Sequence, residues 1–445
     1  MDDTEDAMDT TDETAVAERP AVRAPESRGG GSRPTARRQH ARKGGVYRRR
    51  RILAVCGVVL VAFLIWLAIS LGSALTNPTY GSSMSARFAE WARQNGGATI
   101  TNKVENFWYS HHAPKVGGTV PRGAIRTPVS TSTAPAPTAP NHLPPPAALT
   151  PFASPALPGE GAWSAAGRLV AGVPAVYTTE LRPDAVHTSY VVGVAWMDPT
   201  LLHATLYSGS QIPGGGPFTH TAPIPPTAAT SLVSAFNAGF LMSAANGGYY
   251  TDGKTLYPLV TGAASAVIYS NGTMTVGQWG RDATLTPDVV AVRQNLDLIV
   301  DGSQPVPGLN ATDTTRWGAT LGDQVYVYRS GLGETSNGAL VYVGGPGLNI
   351  TDLADLLVRA GAVRAMELDI NTDWVNYSYY TPDTPYGPAT PDNGTLLLPQ
   401  MVGTPGRYFE PYWARDFFTM SSAYPNGPPA ATTTTTTRPR SSSSK

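Results

Sequence analysis

Ala362-Val363-Arg364-Ala365-Met366-Glu367-Leu368-Asp369-Ile370-Asn371 is the stretch from which the chain is best read. Side chains alternate along an extended chain, so Met366, Leu368 and Ile370 fall on one face and Glu367, Asp369 and Asn371 on the other. Two carboxylates two residues apart on a strand have Cα atoms roughly 6–7 Å apart. Ionising one then raises the cost of ionising the other, which suits a pair with divided acid and base roles. The plainer reading is a strand with one solvated face. Upstream, Leu353, Leu356, Leu357 and Ala360 form the apolar stripe of a helix. Thr351 can cap it, and Gly361 stands where a left-handed C-terminal residue belongs. The chain thus runs helix, glycine turn, strand, and delivers polar groups at the strand's carboxyl end.

The chain has 445 residues and a formal net charge of +0, so nothing global points to nucleic acid. Its single cysteine, Cys56, excludes an intrachain disulfide, a multi-cysteine zinc site and a cysteine nucleophile in the remainder of the chain. Residues 1–51 pass from an acidic start to Arg48-Arg49-Arg50-Arg51 without hydrophobic periodicity and read as a disordered cytoplasmic segment. Residues 52–72 read as a transmembrane helix, since Ile52 to Leu71 at ~1.5 Å per residue spans a bilayer's hydrocarbon core. The arginines before it place the N-terminus in the cytoplasm and the C-terminal domain outside the cell membrane. Residues 73–113 form a juxtamembrane helical segment in which Met84, Phe88 and Trp91 share a face. The pair His111-His112 has no third ligand type nearby and reads as part of that segment. Residues 114–158 are a Pro-rich linker expected to act as a semi-rigid spacer. Residues 425–445 are a Ser/Thr-rich tail expected to be disordered.

Residues 159–424 are the globular domain. Its signals are mostly short strands, from Ala175–Leu181 through Ala339–Val343, with Asn271-Gly272 marking a two-residue hairpin turn. Few helices compete. The expected class is α+β, a β-rich domain with a large mixed sheet, preceded by one transmembrane helix.

Four segments have more polar punctuation than packing requires: Asn237-Ala238-Gly239-Phe240, Arg293-Gln294-Asn295 leading to Asp301-Gly302, Arg316 to Gly322, and Leu368-Asp369 after the helix. In this order they resemble the phosphodiester glycosidase family, the relatives of the lysosomal uncovering enzyme, which removes N-acetylglucosamine from a phosphodiester on mannose. The likeness runs over roughly 230–375 and suggests a divergent bacterial, membrane-anchored branch. Ala238 stands for the second glycine of the family's first motif, and Ile370-Asn371-Thr372-Asp373 for its Gly-Gly-Gly-Ser.

The resemblance implies a hydrolase acting on a sugar-1-phosphodiester in envelope glycans, with Asp369 as the catalytic carboxylate and Glu367 as its partner. Arg316, whose planar fork matches two phosphate oxygens, is the candidate phosphate clamp. Asn237, Gly239, Arg293, Asp301 and Asn371 complete the expected substrate-binding set, and Trp374, Tyr377 and Tyr379 offer stacking faces. No cofactor is expected. Asp369-x-Asn371-x-Asp373 matches the opening of a calcium loop, but Trp374 replaces the turn glycine and Tyr380 the bidentate glutamate, which excludes an EF-hand and leaves a looser calcium site at Asp369, Asn371 and Asp373 as the alternative. The expected partners are a carbohydrate or sugar-phosphate substrate and a lipid bilayer. The alternative is a non-catalytic glycan-binding scaffold on the same fold.

Overall fold

The computed structural model describes residues 37–77, 80, 84–92, 95–96, 115–127, 141–313, 316–318 and 325–427. His111-His112, the tail after 427, and 319–322 of the third motif lie outside them. The chain divides into two compact units, residues 1–68 and 69–445. Helix α1 (Arg37–Thr76) includes a thirty-residue stretch, Tyr47–Thr76, long and apolar enough to cross a membrane. Residues 37–51, expected to be disordered, are helical. Arginine is a good helix former, and a helix already nucleated by the apolar run extends at little cost. A second helix, α2 (Met84–Ala92), follows.

The β-rich α+β class holds. In chain order the strands are β1 (Ser164–Val170), β2 (Val173–Leu181), β3 (Val192–Met197), β4 (Leu202–Tyr207), β5 (Leu232–Asn237), β6 (Tyr249–Thr251), β7 (Lys254–Tyr257), β8 (Ala264–Tyr269) and β9 (Met274–Gln278). They continue with β10 (Val289–Gln294), β11 (Leu298–Asp301), β12 (Gln304–Pro305), β13 (Val327–Thr335), β14 (Leu340–Leu348), β15 (Ala362–Glu367), β16 (Tyr377–Tyr380), β17 (Gly394–Leu396) and β18 (Phe417–Ser422). The short helix α3 (Pro226–Ala229) precedes β5, and α4 (Ile350–Arg359) links β14 to β15. Instead of one large mixed sheet, the described residues form three sheets, of eight, five and five strands. Every ladder between named strands is antiparallel.

The eight-stranded sheet runs β1-β2-β3-β14-β13-β15-β11-β12. β14 and β15 both pair antiparallel with β13, so they are parallel to each other. Parallel strands need a crossover, and α4 supplies it. Its cap is Asn349 rather than Thr351: the Asn349 side chain accepts from the Asp352 amide at 2.8 Å, and the Asp352 carboxylate accepts from the Asn349 amide at 3.3 Å. That reciprocal box satisfies two orphan amides, which a cap two residues later would leave open. Gly361, at φ +95°, ends the helix in the left-handed region.

Leu353, Leu356 and Leu357 of α4 pack with Ile299, Val341, Val343 and Ala365 on one face of this sheet. Met366 and Leu368 on the other face meet Phe236, Phe418, Ile268 and Val276 of the two smaller sheets. β15 is therefore covered on both sides. The solvated face that its alternation suggested is buried too, with Glu367 fully buried and Asp369 3% exposed.

The Asn271-Gly272 turn does join β8 to β9, but as a three-residue loop closed by the Tyr269 amide on the Thr273 carbonyl at 2.9 Å. The expected spacer is also different. The Leu143 amide donates to Asp198 at 2.7 Å, the Leu149 amide to the Gly161 carbonyl at 2.9 Å, and the Trp163 indole to the Ala147 carbonyl at 2.8 Å. Further upstream, Arg126 grips Glu180 of β2, the Tyr379 hydroxyl of β16 at 2.9 Å and the Leu397 carbonyl. An extended proline-rich chain makes no backbone bonds of its own, so its free amides and apolar side chains are available to the surface it crosses. The described parts of residues 115–158 are thus laid onto the body instead of holding it away.

Candidate functional site

Three strand ends converge beside the carboxyl end of β15. Phe417 of β18 pairs with Asn237 of β5, which brings Arg415 and Asp416 next to the Asn237-Gly239 turn. At the end of β10, the Arg293 Nε donates to Asp416 Oδ2 at 2.6 Å, and its other nitrogens donate to the carbonyls of Gln294 and Phe240. Asn295 accepts from the Phe240 amide at 3.0 Å and donates to the carbonyls of Glu367 and Leu368 at 2.9 and 3.2 Å. A Cβ at Gly239 would stand 2.9 Å from Asn295 Oδ1 and 3.0 Å from Arg293 Cζ. Glycine is required there because two polar side chains close onto the backbone.

The sequence-predicted residues divide by what they touch. Asn237, Arg293 and Gly239 are brought together with Asp369, but their polar groups are spent inside. Asn237 donates to Ser330 Oγ at 3.0 Å and accepts from the Tyr342 hydroxyl at 2.9 Å and the Asn376 amide at 3.1 Å. Arg293 is 1% exposed. Both frame the site and have no free group to offer a ligand. Tyr377 is a fully buried core residue stacked on Phe236, and Tyr379 is held by Arg126.

Asp301 is elsewhere. It pairs across the ladder with Arg364 at the start of β15 and binds Arg281 at 2.6 Å. Arg364 lies five residues before Asp369, roughly 16 Å along a strand at ~3.3 Å per residue, so Asp301 takes no part at this end. Arg316 stands at the rim: Gly318 abuts Phe240 and Ile370, while Arg316 itself is about half-exposed, over the Trp317 ring and 3.1 Å from Asp297.

The two carboxylates have unlike surroundings. Glu367 Oε1 accepts from Arg329 at 2.5 Å, and Oε2 is buried with no hydrogen-bond partner. Burial lifts Glu367 to about 7; Arg329 opposes the rise and Asp369 adds to it. Burial lifts Asp369 to about 6, opposed by Arg415 and by the amides of Asn371 and Ile370, and reinforced by Asp416. Asp369 Oδ1 accepts from the Asn371 amide at 2.9 Å, and Asn371 Oδ1 from the Asp373 amide at 2.9 Å. These successive Asx turns use side-chain oxygens that a calcium loop would turn inward. Among the described residues no group of three or more His, Cys, Asp or Glu is placed to hold a metal ion. Ile370 to Asp373, which follow Asp369, are half-buried.

Sequence reasoning missed Arg415. Its guanidinium lies 4.6 Å over the Trp374 ring, and its Nη1 is buried with no hydrogen-bond partner. Asp416 Oδ1 and the Trp413 indole nitrogen are likewise buried and unpartnered. A buried polar atom without a partner costs roughly 1–3 kcal/mol, so several in one place mark a site built to hold something polar. The only signal for it in the sequence is the charged pair Arg415-Asp416 directly before the apolar run that forms β18.

Raised carboxylates make stability pH-dependent. A carboxyl that binds its proton more tightly folded than unfolded favours the folded state at low pH, and that contribution is lost as pH rises toward the folded value. From the ordinary 3.8 of an aspartate to about 6 for Asp369, the loss is about 1.4 kcal/mol per pH unit. Melting curves between pH 4 and 8 should show the wild type falling relative to Asp369→Asn across this window. Parallel profiles would show that Asp369 ionises at its ordinary pH.

No protein-family model matches the chain, and no curated protein matches it in sequence. Among solved structures, it is similar to the zebrafish N-acetylglucosamine-1-phosphodiester alpha-N-acetylglucosaminidase catalytic domain auto-inhibited by its pro-peptide. That match has 16% identity and a TM-score of 0.37, over 58% of this chain and 87% of that one. A hypothetical protein from Synechocystis is similar at 12% identity and a TM-score of 0.31, over 56% of this chain and 63% of that one.

Proposed function

We propose that the chain is a membrane-anchored hydrolase, with its body outside the cell, that cleaves a sugar-1-phosphodiester linkage in envelope glycans. The observation that carries this reading is the buried carboxyl of Asp369, lifted to about 6, within electrostatic reach of Arg415, whose Nη1 is buried without a partner. A carboxyl with that value is mostly ionised at neutral pH and still basic enough to take a proton. Arg415 can hold a phosphate's charge, and its Trp374 backing keeps the fork oriented. In the reaction, water attacks the anomeric carbon and Asp369 takes its proton. The anomeric C–O bond breaks, and its electron pair leaves with the phosphate, held by Arg415. Asn371 binds sugar hydroxyls, Arg316 at the rim meets the far side of the phosphate, and Glu367, backed by Arg329, keeps the floor rigid.

The sequence likeness of the Asn237, Arg293, Arg316 and Asp369 segments to phosphodiester glycosidases supports the same substrate class. The arginine-flanked apolar helix supports the topology. A non-catalytic glycan-binding scaffold is the second reading, favoured by the way the polar groups of Asn237, Arg293 and Asn295 are taken up by neighbouring protein groups. Purified full-length chain should release free sugar from sugar-1-phosphodiesters. Arg415→Ala should then lower kcat/KM about 10–100-fold, as loss of a charge-assisted bond of roughly 1.5–3 kcal/mol requires. Binding without release of sugar would favour the scaffold, and release with Arg415→Ala unimpaired would move the phosphate to another cation.

A further inference from the structure

Most side chains of α1 from Ile52 to Ile69 are exposed, among them Leu60, Ile65 and Ile69. Beyond Thr76 the chain reverses, and α2 runs back along the last turns of α1. Arg87 Nη1 donates to the Leu75 carbonyl at 2.9 Å, and the Trp91 indole donates to Ser70 Oγ at 2.9 Å. Stepping from Arg87 to Trp91 moves the contact from Leu75 back to Ser70, so the two helices are antiparallel. Ser70 is six residues before Thr76, which puts Trp91 ~9 Å back from the end of α1.

The seam between the helices is closed by Ala74, Ala89 and Trp91, all buried. Met84 and Phe88, four residues apart and so on one face of α2, remain 62% and 49% exposed. Phe88 lies with its ring 6.0 Å from that of Trp91.

We propose that α2 is a second membrane contact, dipping into the outer-leaflet interface with Phe88 and Met84 against lipid at the boundary of headgroups and acyl chains. This rests on reading residues 52–72 as the span. Ser70 lies inside that apolar run, so its partner Trp91 is at the depth where the hydrocarbon begins. Tryptophan with its indole N–H satisfied suits that depth, and Arg87 directs its guanidinium toward the outer end of α1, where water is. The exposed apolar face of α2 is then presented to lipid. The consequence is a body tethered at the membrane surface by a hairpin anchor.

The chain's single cysteine makes the test direct. In a Cys56→Ser background, the full-length protein in phosphatidylcholine–phosphatidylglycerol vesicles carries a fluorescent label at Phe88→Cys or Met84→Cys. Gly57→Cys, where a side chain meets nothing within 4 Å, is the reference inside the span. Val116→Cys, at a position 77% exposed, is the reference in water. Lipid-borne quencher should reach the label at 88 strongly and at 84 less, both between the two references, with iodide giving the reverse order. Labels at 84 and 88 that behave like 116 while 57 stays lipid-protected would overturn the contact and leave the span intact. Iodide quenching at 57 as well would remove the span and the α2 contact together.

Discussion

Asp369→Asn should abolish the proposed sugar release and, at pH 8, raise the melting temperature of the body. Turnover falls because an amide cannot take the proton of the attacking water; general-base loss accounts for about 10²–10⁴-fold. Stability rises because the wild-type carboxylate, 3% exposed and lifted to about 6, is ionised at pH 8 against the preference of its surroundings. The substituted side chain keeps an oxygen for the Asn371 amide, so the network survives, while the charge that opposed burial is gone. A rise of about two pH units, at about 1.4 kcal/mol for each, sets an upper limit near ~3 kcal/mol, and the new N–H₂ group reduces the gain to roughly 1–2 kcal/mol. The paired measurement is kcat by sugar release and Tm at pH 5 and pH 8. Full activity in Asp369→Asn would move the chemistry away from this strand end, and a lower Tm at pH 8 would mean the charge is stabilised in place.

Arg293→Met should unfold the body or bring it close to unfolding at 37 °C. Arg293 is 1% exposed and holds Asp416, 1% exposed, at 2.6 Å, while also donating to the carbonyls of Phe240 and Gln294. Removing one partner of a buried pair leaves the other charge uncompensated, at a cost of about 3–5 kcal/mol, and two carbonyls lose their donors besides. Typical domains have only about 5–15 kcal/mol in total. Arg293→Met/Asp416→Leu should recover part of the loss by removing both charges. Chemical denaturation reads the difference, and a single variant within about 1 kcal/mol of wild type would show that the pair is solvated. The contrast with Arg415→Ala is the useful one: loss of Arg293 should disturb the frame, whereas loss of Arg415 should lower turnover and leave the fold in place.

The local grammar of this protein was legible in its residues. Apolar runs of the right length located α1, most of the central strands and the helix before β15, because periodicity and length act within a few residues of themselves. The motif segments at Asn237, Arg293 and Asp369 were found for the same reason: glycine and amide clusters at strand ends are local signals. Strands β16 and β18 escaped because their neighbours bury both faces, which removes the alternation that marks a strand. The docked segments around Arg126 and Leu143 escaped because proline-rich sequence shows only that it makes no structure with itself.

What the sequence by itself determined is therefore the class, the apolar helix, and the order helix, glycine, strand around Asp369. Only the tertiary structure decided which polar residues face one another. Arg316 was the sequence's cation, yet it stands exposed beside Asp297, while Arg415, forty-six residues beyond Asp369 in sequence, is the one whose charge bears on that carboxyl. Glu367 was its partner in sequence, yet Arg329 holds it, and Asp416, next to β18, stands in its place beside Asp369. Burial and pairing set a side chain's charge state, and both depend on residues brought close by the sheet register, which no local pattern encodes.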